Sequence, residues 1–178
     1  MPKAAVQLPA SPMNSSQAPS SPLFRPASLV AAIVLPGLGH FIGGERLRGI
    51  LIAVGVLGLF FGGMLIGGID VIDSREDRVW FFGQALVGPT AFAVDWAHQT
   101  QFKVIDPTTR QLRTAYPGEG RDPSGMAVAG GTPPNIKSIN KVNDIGTLYA
   151  TIAGMLNLIC ILDAGWPPRR RHNPAVPS

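Results

Sequence analysis

The chain reads as an all-α integral membrane protein, a helical bundle of about four segments, and three observations carry that reading. Ile50–Ile69 is a run without a single charged residue. Charged side chains make up 15% of the 178 residues, against about 25% in soluble domains. Three further apolar blocks flank that run, at Ser28–Gly43, Val79–Ala97 and Ile145–Leu162. A hydrocarbon core of about 30 Å is crossed by roughly 20 helical residues at about 1.5 Å each, so blocks of this length have a membrane-sized reach.

The elements follow in chain order. Residues 1–27 are rich in Pro, Ser, Ala and Gln and carry too little patterned hydrophobicity to offset the entropy of ordering, so they read as a disordered tail. The first apolar stretch begins near Leu29, far from the basic start that a secretory signal needs, so no cleaved signal peptide is expected. Ser28–Gly43 is interrupted by Pro36, Gly37 and Gly39, which predicts a Pro-kinked span or a re-entrant segment whose freed carbonyls find partners in neighbouring helices. Ile50–Ile69 is the clearest span, because one Lys or Asp at its centre would cost about 2.5–3.5 kcal/mol on insertion.

Val79–Ala97 is the most polar block, holding Gln84, Pro89 and Asp95, with Trp80 and Trp96 placed as interfacial anchors at its ends. Residues 98–144 form a long polar loop that turns Pro/Gly-rich through 116–134, without an apolar period to support a separate domain. Within it, Ile136, Ile139 and Val142 have the spacing of a short interfacial helix leading into the last span at 145–164. A basic disordered tail, 165–178, closes the chain. The domain reading is therefore tail, membrane hairpin plus third segment over 28–97, loop, last helix and tail. With four spans, Lys and Arg fall almost equally on the two sides, and the Arg169–Arg171 run favours a cytoplasmic C-terminus through its attraction to anionic lipid.

Helix packing is expected at small residues. Gly58 and Gly62, Gly63 and Gly67, and Gly146 with Ala150 and Gly154 repeat at four-residue intervals, which lets neighbouring backbones approach until dispersion replaces the missing hydrophobic drive. Packing within one bundle is preferred over a dedicated dimer seam. Pro36, Gly37, Gly39 and His40 are expected to shape the first hairpin, with His40 bonded to a carbonyl freed by Pro36 rather than relaying protons or binding metal. Gln84 and Asn157 are expected to hydrogen-bond each other as interhelical glue, and Asp95 is a third intramembrane polar contact. Asp70, Asp73 and Asp163 sit near helix ends and are read as solvated at the interface.

No catalytic constellation is present. Gly-x-Ser-x-Gly, His-Glu-x-x-His and phosphate-cradling loops are all missing, and His98 and His172 lie in polar surroundings without metal-ligand spacing. Asp106, Asp122 and His98 form no coherent site in the loop. The chain is therefore not expected to be an enzyme, and no metal or cofactor is assigned. The net charge of +4 comes from scattered basic residues with few aromatic neighbours, which excludes a nucleic-acid surface. Cys160 is the sole cysteine, so neither an intrachain disulfide nor a Cys-based zinc site exists. The expected partners are the lipid bilayer and a membrane protein or second copy of the chain.

The run Gly39-His40-Phe41, the following Gly43-Gly44, then Arg48-Gly49-Ile50-Leu51 into a Gly-rich span ending Gly67-Gly68-Ile69-Asp70 resembles the two-transmembrane hairpin domain. The whole of 28–165, with Phe82-Gly83-Gln84-Ala85-Leu86 and Gly146-Thr147-Leu148-Tyr149-Ala150 through Leu162-Asp163-Ala164, is more similar to a bacterial family of small multi-pass membrane proteins of unknown function. That resemblance implies residence in a bacterial cytoplasmic membrane and transfers no activity. The expected role is a structural or interaction module. The alternative is a transport or channel component in which His40, Gln84, Asp95 and Asn157 line a common cavity.

Overall fold

The computed structural model describes residues 24–135 and 140–166. The expected tails fall almost entirely outside these residues, as do the first residues of the helix expected over 136–144. Pro26 starts α1 (Pro26–Val34) in the first turn, where its missing N–H breaks no hydrogen bond. Leu35 precedes Pro36 and is extended, because the proline ring crowds a helical residue before it. Gly37 turns the chain at φ +82° into α2 (Leu38–Ile42). The first apolar block is therefore a broken helical hairpin rather than one kinked rod.

Helix α3 (Arg46–Gly67) and helix α6 (Asn140–Gly165) have 22 and 26 residues. Among the described residues they are the two helices long and apolar enough to cross a membrane. The block Val79–Ala97, expected as a third span, is split into α4 (Arg78–Ala85) and α5 (Pro89–Ala97). Gly88, at φ +101°, makes the break and Pro89 restarts the helix. Among the described residues there are thus two long helices and two broken hairpins, where the sequence suggests about four segments with the first Pro-kinked or re-entrant.

Helices α3 and α6 are antiparallel, since Gly63 meets Gly146 and Gly67 meets Asn143 at one end while Arg48 meets Asp163 at the other. A Cβ on Gly63 would lie 2.6 Å from the Gly146 carbonyl oxygen, so only glycine permits that backbone approach. On α6, Gly154 faces the Gly83 carbonyl of α4 in the same way. The first hairpin enters beside the C-terminus of α6, tied by the Arg25 N–H to the Gly165 carbonyl at 2.9 Å. The second enters from the opposite end, beside the 69–77 turn. Their tips meet inside, where a Cβ on Gly88 would strike the Ile33 carbonyl oxygen.

Burial is inverted relative to a water-soluble bundle. Asn143, Thr147, Thr151 and Asn157 of α6 point inward, whereas Leu148, Met155, Leu156, Ile159 and Leu162 are exposed, and Leu65 of α3 is 88% exposed. The core is completed by Val56, Phe60, Val71, Ile72, Val87, Ala91, Ala150 and Ala153.

The loop after α5 is more ordered than its composition suggests, which amends the all-α expectation. A π turn at His98–Phe102 is followed by two antiparallel hairpins, β1 (Val104–Ile105) with β2 (Leu112–Arg113) and β3 (Glu119–Arg121) with β4 (Ala127–Ala129). Arg113 grips both Glu119 oxygens at 2.6 and 3.0 Å and reaches Asp106 at 2.9 Å, stacking over Tyr116. Backbone N–H groups of Thr109 and Thr108, together with Arg113, lower the Asp106 pKa to about 2. Polar pairing of this kind carries no apolar period, so sequence pattern could not reveal the hairpins.

The glycines of α3 divide into two sets. Gly63 and Gly67 are packed, whereas Gly55, Gly58 and Gly62 have nothing within 4 Å of an added Cβ. Gly154→Ala is expected to destabilise the fold by about 1–3 kcal/mol through backbone overpacking, and Gly58→Ala is expected to leave it unchanged or more stable. Melting curves of the detergent-purified variants measure the difference.

Candidate functional site

Polar chemistry gathers at both ends of the helical body. At the α6 C-terminal end, His40 of α2 is buried and its Nε2 lies 2.8 Å from Asp163 Oδ2. Arg48 Nη2 reaches the same oxygen at 2.6 Å, and its Nη1 donates to Glu45 at 3.1 Å. Arg25 and Gly43 close the recess that these groups line. The sequence reading paired His40 with a carbonyl freed by Pro36; the fold pairs it with a carboxylate 123 residues away.

At the opposite end, the 69–77 turn, the π turn and the β hairpins form a cap over a denser cluster. Asp73 Oδ1 accepts the backbone N–H groups of Arg75 and Glu76 at 2.8 and 3.1 Å and the Gln99 amide at 2.9 Å. Its other oxygen lies 2.5 Å from Lys103 Nζ, which also donates to Glu76 at 2.7 Å. Asp70, Asp73, His98 and Lys103 are each within about 1% of complete burial. Burial by itself raises the pKa of Asp73, yet the Lys103 hydrogen bond and the two backbone donors outweigh it and hold the carboxyl below its ordinary range. Burial likewise lowers that of Lys103, and its bonds to Asp73 and Glu76 reverse the shift upward. The interfacial solvation expected for Asp70 and Asp73 is thus replaced by desolvation and pairing.

His98 was read as lying in a polar loop without ligand geometry, but it is wholly buried. Its Nδ1 lies 2.9 Å from the Ile72 carbonyl oxygen, and its Nε2 faces Asp70 Oδ1 at 3.5 Å. One donor atom from each of Asp70, Asp73 and His98 falls within 4.8 Å of the others, and among the described residues these three could hold a metal ion.

The other expected polar contacts are dispersed. Gln84 donates to the Val71 carbonyl at 2.9 Å, and Asn157 donates to the Leu86 carbonyl at 2.8 Å. The pairing of those two amides is therefore replaced by two separate bonds to backbone. Asp95 accepts from the Ser74 N–H and hydroxyl at 2.9 and 2.6 Å beside the cap. His40, Gln84, Asp95 and Asn157 do not line one cavity, since His40 and Asp95 belong to opposite ends. Sequence reasoning missed Lys103 and Glu76, and it reads Glu45, Arg46 and Arg48 as a solvated ion cluster without the Asp163 partner of Arg48; the one local signal in the cap is the Asp70/Asp73 spacing after a helix end.

These features define a mostly helical protein with two potential membrane-crossing helices, two broken hairpins, a partly exposed charged cluster at one end and a buried one at the other. The chain belongs to DUF6677, a family of unknown function, whose profile matches residues 27–174. No curated protein and no solved structure matches it.

The cap is expected to be most stable near neutrality. The depressed Asp73 pKa gives stability that is complete above the ordinary carboxylate value of about 4 and fades as pH falls through the native value. The raised Lys103 pKa gives stability that is complete below about 10.4 and fades as pH rises through its native value. Asp73→Asn leaves a buried ammonium with a weaker partner and should cost about 3–5 kcal/mol. A melting series across pH on the wild type and on this variant measures both effects.

Proposed function

We propose that the chain is a multi-pass integral protein of a bacterial cytoplasmic membrane and that it works as a structural or interaction module rather than an enzyme. The observation that carries the membrane reading is the inverted burial: large aliphatic side chains of α3 and α6 face outward while Thr147, Thr151, Asn157 and Gln84 face inward. In water such a surface would cost about 25 cal/mol for each Å² of apolar area left exposed; in lipid it is neutral. On this reading α3 and α6 span, and the two broken hairpins are re-entrant, their freed backbone groups satisfied inside protein.

The re-entrant first hairpin brings Arg25, Arg46 and Arg48 to the side of the α6 C-terminus, and this basic character favours a cytoplasmic location for that side. The cap then faces outward. The open Gly55, Gly58 and Gly62 face of α3 supplies the interaction surface, where a second membrane helix from another protein or a second copy can approach closely.

A transport component is the second reading, favoured by the two broken helices whose tips meet within the body, as in proteins that place half-helix ends at a binding site. Dispersal of the four residues expected to share a cavity weighs against it.

Carbonate-washed membranes should retain the protein; release into the wash would overturn the membrane reading. Cysteines introduced at Gly58 or Gly62 in a Cys160→Ala background should form crosslinked adducts in native membranes. Monomer alone from every position would remove the interaction reading. In proteoliposomes, Asp95→Asn and wild type are expected to show the same background leak, and a flux lost in the variant would reverse the order of the two readings.

A further inference from the structure

We propose that Asp70, Asp73 and His98 form a binding site in the cap for a first-row divalent cation of the zinc or manganese kind. The case starts with the imidazole. His98 is fully buried, and its Nδ1 stands 2.9 Å from the Ile72 carbonyl oxygen. A carbonyl only accepts, so Nδ1 carries a proton, and Nε2 is the ring atom left to ligate a cation held by the carboxylates. An outer-shell hydrogen bond to a backbone carbonyl is the usual way in which a metal-binding histidine is oriented. Among the described residues nothing hydrogen-bonds Nε2, and its nearest acidic atom, Asp70 Oδ1, stands at 3.5 Å, longer than a charge-assisted hydrogen bond. A cation between them would take a bond from each.

The spacing suits such an ion. Donors about 2.1 Å from a common metal lie up to about 4.2 Å apart, and the three donor atoms here lie within 4.8 Å of one another. Contraction of about half an ångström closes the set, a movement available to side chains on the 69–77 turn and the π turn. Asp73 is already fixed by the N–H groups of Arg75 and Glu76 and by Gln99, and Thr114 donates to Asp70 Oδ1 at 3.3 Å, so the carboxylates have their own outer shell. One imidazole with two carboxylates selects zinc, manganese or ferrous iron over calcium and magnesium, which prefer oxygen ligands throughout.

Charge agrees. Asp70, Asp73 and Glu76 bring carboxylates together around the Lys103 ammonium and the His98 ring. Lys103 is then the competitor, because its ammonium occupies Asp73 Oδ2 at 2.5 Å. Without metal, Asp73 keeps the Lys103 bridge and His98 Nε2 keeps Asp70 Oδ1 as its nearest acidic atom at 3.5 Å.

The experiment uses the full chain, purified in detergent and stripped with chelator, with Zn²⁺ and Co²⁺ as probes. The proposal expects saturable one-to-one binding, a chelator-reversible rise in melting temperature, and cobalt d–d absorption showing nitrogen and oxygen ligation. His98→Gln and Asp70→Asn should abolish all three, and Lys103→Gln should tighten Zn²⁺ binding by about tenfold or more, the scale on which groups around a metal site act. His40→Gln, at the opposite end, should change none of them. No saturable binding by folded wild type overturns the proposal, as does binding that survives both ligand variants or that weakens in Lys103→Gln. Should the ligand variants fail to fold, the wild-type cobalt spectrum and the direction of the Lys103→Gln change decide it.

Discussion

Asn157 sits on the inner face of an otherwise apolar helix and donates its amide to the Leu86 carbonyl at 2.8 Å. Leu86 ends α4, so its carbonyl would otherwise open into the break at Gly88. In an apolar shell an unsatisfied peptide group costs several kcal/mol. That one bond permits α4–α5 to turn back inside the body instead of crossing it. At about 1.5 Å per residue, Asn157 lies roughly 24 Å along α6 from Lys141, beyond its midpoint. The hairpin tip reaches the same depth, where Gly88 meets Ile33 at the end of α1. The first hairpin is thereby confined to the remaining third, against Gly49, Ala53 and the end of α6. A second side-chain bond, from Gln84 to the Val71 carbonyl, repeats the device on the cap side.

With backbone needs met in this way, the side chains of the helical middle have little polar work, and charge is displaced to the ends. His40, Asp163, Arg48 and Glu45 form one terminus. Asp70, Asp73, Glu76, His98 and Lys103 form the other. The two differ in solvation. Arg48 and Asp163 remain partly exposed, so their attraction is screened, whereas the Asp73–Lys103 pair is almost completely buried. Desolvated charges contribute only when every partner is present, which makes the cap the less tolerant end of the molecule.

Several features were legible before the fold was known. The uncharged 50–69 run is a helix because its length and composition leave no other stable state in lipid or in a core. Pro36 and Gly37 announced a break, and Gly146 and Gly154 announced close helix contacts. Other readings failed for a common reason. Gln84 and Asn157 were matched with each other because both are amides near mid-block, yet each found a carbonyl released by a break, and a sequence does not show which carbonyls will be released. Gly58 and Gly63 carry the same four-residue spacing, but 100° of rotation per residue puts one set against α6 and leaves the other open. His98 belongs to a polar stretch of sequence, and it is buried against Ile72 and Asp70, partners far along the chain that no periodic signature reveals.

The sequence alone determined that the chain is apolar at membrane length, where its helices are interrupted, and which residues are small enough for backbone contact, because these follow from transfer energies and local sterics. Tertiary structure decided that two of the four apolar blocks fold back, which glycine face is occupied, and that residues 70, 73, 98 and 103 share one buried site. Those outcomes depend on long-range partners for charges and backbone carbonyls, and no local pattern encodes which groups will meet.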